Sequence, residues 1–65
     1  MSYRTYNRLF VGEKPISPPY RVFTIRTKAD AIKRTIDYNK RWNKFNLSSG
    51  GKETAKMVAV KKVRR

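Results

Sequence analysis

Arg4 and Arg8 are interleaved with Tyr3, Tyr6 and Phe10 near the start of the chain. Cations in such a pattern can meet phosphates while the rings stack on bases or pack into a protein groove. A second set, Lys33, Arg34, Lys40, Arg41 and Lys44, recurs at helical spacing over about three turns, long enough to follow a phosphate backbone. A third, Lys61, Lys62, Arg64 and Arg65, crowds the end of the chain, where it also suits the blunting of an exposed sheet edge. The plainer readings are a solvated tail, a solvated helix face and a guarded edge. None of the three sets encodes base readout, so contacts are expected to the backbone or the shape of a nucleic acid.

Charge points the same way. The 65 residues include 17 Lys or Arg and only 4 Asp or Glu, a formal charge of +13 with no His. Such an imbalance repels itself in a compact state and is best relieved by an anionic partner. Catalysis finds little support by contrast. General acid–base chemistry needs His or paired carboxylates of shifted pKa. The four acids here are Glu13 and Glu53 in linkers, and Asp30 and Asp37 with ordinary helix roles. Gly50-Gly51-Lys52 follows a helix, whereas a phosphate cradle precedes one. With no Cys or His, neither a disulfide nor a transition-metal site is expected. We therefore expect a non-enzymatic binding protein with no cofactor, no small-molecule substrate and no membrane partner. The absence of a signal-like or membrane-length apolar run suggests an intracellular, cytoplasmic, non-secreted chain.

These residues must be positioned by few elements. Leu9-Phe10-Val11 has clear strand character, and we expect residues 1–19 to form a flexible basic N-terminal arm and a Pro-rich connector, with residues 20–65 as a small αβ domain. Tyr20–Arg26 reads as a strand, although Val22, Phe23 and Ile25 distribute apolar groups over both faces. Thr27 with Asp30 has capping-box spacing and predicts a helix from near Lys28. Its core stripe is expected at Ala31, Thr35, Tyr38, Trp42 and Phe45, flanked by Ile32 and Ile36. Asp30–Arg34, Lys33–Asp37 and Asp37–Arg41 are expected as ion pairs on the outer arc. Ser48-Ser49-Gly50-Gly51 should stop the helix, and Met57–Val63 reads as a second strand.

The fold class expected is α+β: a single small domain with a βαβ core, or ββαβ if Leu9–Val11 joins. One long amphipathic helix lies on a sheet of two or three strands, and the strands flanking the helix sit side by side and parallel. A rival arrangement keeps only the helix ordered until a partner binds. Asn7-Arg8-Leu9-Phe10-Val11 as a first strand, Val22–Arg26 as a second, the helix, and Gly50-Gly51-Lys52 before a last strand together resemble the small linker domains of phycobilisomes. The chain departs from that outline by placing Glu53–Lys56 between the glycines and the last strand, and by its Pro-rich connector.

Three functions follow as expectations. The first is docking on nucleic acid or a nucleoprotein assembly through phosphate contacts. The second is a small protein-binding modulator or inhibitor, of the size viruses encode, that sits on an acidic surface of a larger machine. The third, implied by the resemblance, is a basic linker protein of a large assembly.

Overall fold

Tyr3, Thr5, Tyr6, Leu9, Phe10 and Val11 are all residues that suit a pleated strand, and in the computed structural model, which describes residues 1–63, they lie in β1 (Ser2–Val11). β1 is the centre of a four-stranded antiparallel sheet. One of its edges pairs throughout with β4 (Glu53–Val63), from Ser2 opposite Val63 to Val11 opposite Glu53. The other edge pairs with β3 (Tyr20–Ile25) and then β2 (Lys14–Pro15). The expected flexible arm is thus corrected: strand character starts at Ser2, and the segment is held from both sides.

The connector is also more structured than its prolines imply. Gly12 and Glu13 turn β1 into β2, and Gly12 takes φ 64°, the positive value that the first position of a II′ hairpin requires. Pro15 is tolerated because β2 is an edge strand. Beyond it, the Ile16 N–H donates to the Leu9 carbonyl at 2.9 Å, and Ser17 Oγ accepts the Leu9 N–H at 3.0 Å. Arg8 Nε donates to the Ser17 carbonyl at 2.6 Å.

The helix, α1 (Lys28–Ser48), begins and ends as its caps dictate. Thr27 Oγ1 accepts the Asp30 N–H at 3.3 Å. At the other end Gly50, at φ 86°, lets its N–H reach the Leu47 carbonyl at 3.1 Å while the Gly51 N–H reaches Asn46 at 2.9 Å, the two bonds of a Schellman closure. β3 and β4 both run antiparallel to β1, so they are parallel to each other as expected for strands flanking a helix. They are not adjacent, however, because β1 lies between them. Two strand spacings make ~10 Å, about one helix diameter, so a single helix over β1 reaches both neighbours.

The most deeply buried groups between helix and sheet are mostly polar. Ala31 and Ala55 are the fully buried apolar residues, whereas Thr5, Asn7, Thr35 and Asn39 are the buried polar ones. Thr5 and Thr35 share a hydroxyl bond of 2.6 Å, and Thr35 also donates to the Ala31 carbonyl at 2.8 Å. The Asn7 and Asn39 amides pair reciprocally, with the bond from Asn39 Nδ2 at 3.0 Å. One turn on, Asn43 accepts the Ala55 N–H at 2.7 Å and donates to the Ala55 carbonyl at 3.1 Å. Asn46 then donates to the Glu53 carbonyl at 2.9 Å. Asn43 and Asn46 thereby satisfy backbone groups of β4 on the edge it does not share with β1, in the way a further strand would.

This ladder corrects the expected stripe. At 100° per residue, Thr35, Asn39, Asn43 and Asn46 centre the buried face roughly 100° away from the Tyr38–Phe45 line. Trp42 remains half-buried, and Tyr38 keeps an edge-on contact with Phe23, ring centroids 5.5 Å apart. Phe45, however, is 75% exposed, and Ile36 is also exposed.

Candidate nucleic-acid interface

α1 covers one face of the sheet, and among the described residues no second helix or strand packs on the other. Strand alternation decides what that open face carries. Thr5 and Asn7 point to the helix, so Arg4, Tyr6, Arg8 and Phe10 point away from it. Register extends the set across both neighbours. Lys61 stands opposite Arg4 and Lys56 opposite Arg8 on β4, while Thr24 stands opposite Arg4 and Arg21 opposite Tyr6 on β3. Bulges between Arg4 and Tyr6 on one side, and between Tyr6 and Asn7 on the other, let these long pairings follow the sheet's twist.

Side-chain contacts agree with this placement. Lys56 Nζ lies 5.3 Å from the Phe10 ring centroid and Lys61 Nζ 5.4 Å from that of Tyr6. Both are diagonal neighbours across the β1–β4 ladder. Arg4 Nε is shielded from solvent and has no hydrogen-bond partner among the described residues. The open face therefore gathers Arg4, Arg8, Arg21, Lys56 and Lys61 around two aromatic rings, and no carboxylate shares it. Glu13 sits in the β1–β2 turn, and Asp30 and Asp37 are on the helix. Glu53 is turned to Asn46, whose Nδ2 is 3.2 Å from Oε2. The Glu53 carboxylate is held below its ordinary pKa first by its own backbone N–H, then by the Asn46 amide and the Lys52 N–H.

The helix set lies on the far side of the molecule. Lys33, Arg34, Lys40, Arg41 and Lys44 are all exposed there, mixed with Asp30 and Asp37. Of the three ion pairs expected, Asp37–Arg41 forms at 3.5 Å, between side chains so exposed that the pair adds little stability. Tyr3 and Lys62 face each other on the helix-bearing side of the sheet, away from Tyr6 and Phe10. Arg64 and Arg65 lie outside the described residues.

The structure thus unites Arg4, Tyr6, Arg8 and Phe10 from the first set with Lys61 from the third, and it leaves the helix set apart. Arg21 and Lys56 were missed by sequence reasoning. Each follows from strand register alone: the last strand begins at Glu53 and so includes Lys56, and Arg21 stands across from Tyr6 beyond a bulge. Among the described residues no helix is long and apolar enough to cross a membrane. No family model matches the chain, and no curated protein or solved structure matches it either.

Proposed function

We propose that this chain is a non-enzymatic nucleic-acid-binding protein that holds a phosphate backbone against the open face of its sheet, alone or within a nucleoprotein assembly. The observation that carries the reading is a face with five cations and no carboxylate, set on the most extensively paired strand of the fold. Such a face attracts polyanions at long range, and its cations release counterions on binding. Engaging four or five phosphates gives a slope of log affinity against log salt of about −3 to −4. Fluorescence anisotropy of a labelled oligonucleotide across a salt series measures that slope. Absent binding at low salt, or binding indifferent to salt, refutes the reading.

A second reading, a protein-binding modulator or inhibitor, is favoured by one observation: Phe45 at 75% and Leu47 at 54% exposure leave apolar surface near the helix C-terminus. The linker reading is a special case of it, a basic chain docked inside a large protein assembly. A pull-down after nuclease treatment tests both. A stoichiometric protein partner that is lost on Phe45→Ser supports docking, and loss of all partners with the nuclease supports nucleic acid.

A further inference from the structure

We infer that the open sheet face is a site for single-stranded nucleic acid, in which Tyr6 and Phe10 stack on unpaired bases while cations on the flanking strands hold the phosphates. This rests on the nucleic-acid reading above and goes beyond it, since phosphate contacts alone accept duplex and single strand alike.

Both rings stand on β1, the central strand, about 13 Å apart along it. Arg21 flanks them from β3, and Lys56 and Lys61 flank them from β4. Aromatic surface therefore lies along the central strand with Arg4 and Arg8 interleaved, and further positive charge flanks it on both neighbouring strands. A duplex keeps its phosphates outermost and its base faces stacked within, so its bases cannot reach rings that stand on a sheet. A single strand can turn its bases inward onto the sheet and leave its backbone to the rim.

The lysines show that the rings are reachable. An ammonium group sits over Phe10 and another over Tyr6, so each ring has a face approached by a flexible, solvated side chain. Such contacts are weak at exposed sites. A base that displaces the lysine from the ring leaves the ammonium beside the incoming backbone, where it pairs with phosphate. The face is built for exchange of one cation–ring contact for a stack and an ion pair.

The test uses the full chain and three labelled ligands at one salt concentration: a mixed-sequence single strand, its duplex, and a strand of the same length with every base removed. Stacking on two rings predicts that the single strand binds about 100-fold more tightly than the abasic strand, which keeps every phosphate. The single strand should also bind more tightly than the duplex. Tyr6→Leu with Phe10→Leu should remove most of the gap between base-bearing and abasic strands while leaving the salt slope in place. Equal affinity for abasic and base-bearing strands, or for duplex and single strand, overturns the inference and leaves the phosphate reading standing. No binding of any ligand at low salt overturns both. The comparison of ligands needs no variant, so poor folding of the leucine variants does not blunt it.

Discussion

Replacing Asn39 by Leu tests whether the polar ladder holds the helix to the sheet. Asn39 is 6% exposed and Asn7 fully buried, and each amide donates to and accepts from the other. The variant strands the Asn7 amide between α1 and β1 with a donor and an acceptor both unpaired. Each such group costs about 1–3 kcal/mol, and the added apolar surface recovers part of that, so the expected loss is about 3 kcal/mol. For 65 residues the whole stability is on the order of 3–10 kcal/mol, so the change is large. Asn7→Val with Asn39→Leu removes both partners together. Its cost should fall below the sum of the single changes by about 1–3 kcal/mol. Urea unfolding followed by Trp42 fluorescence and by far-UV circular dichroism gives the midpoints. A loss under about 1 kcal/mol for Asn39→Leu, or strict additivity in the double variant, would refute the ladder as the element that joins the layers.

Three further outcomes follow from single positions. A Cβ on Gly51 would stand 2.5 Å from Asn46 Nδ2, so Gly51→Ala must displace the amide that guards the β4 edge; a loss of about 1–2 kcal/mol in urea unfolding is expected, shrinking when Asn46 is already Ala. Glu53 has a lowered folded-state pKa, so its contribution is present above the unfolded-state value and disappears as pH falls through the folded one. Thermal melts across the acid range should therefore show a drop that Glu53→Gln lacks. Phe45→Ser should change stability by less than about 0.5 kcal/mol, because the ring is 75% exposed; a larger loss would place it in the core.

The helix was the most legible element because its signals are local. Thr27 three residues before Asp30, and the Gly50-Gly51 pair, mark its ends without help from the rest of the chain. β3 and most of β4 were legible from runs of β-branched and apolar residues. β1 was hidden. Its helix-facing positions include Thr5 and Asn7 and its open positions are Arg4, Tyr6, Arg8 and Phe10, so no apolar–polar alternation announces a central strand. The same cause rotated the helix stripe: three asparagines do the packing that periodicity assigns to Tyr38 and Phe45. At the site, residue types were readable and their assembly was not. Arg8 and Lys56 are far apart in the chain, and only register places them face to face.

On the proposed reading the sheet face, and not the helix, carries the anion-binding charge. The most direct measurement is the salt dependence of oligonucleotide binding for two matched pairs of charge deletions, Lys56→Gln with Lys61→Gln on the sheet and Lys33→Gln with Lys40→Gln on the helix. Each pair removes the same formal charge, so a bulk effect of net charge acts on both alike. The sheet pair should make the log–log slope shallower by about 1.4, the single-strand increment for two phosphates, while the helix pair leaves it unchanged. A slope altered by the helix pair and untouched by the sheet pair would contradict that reading.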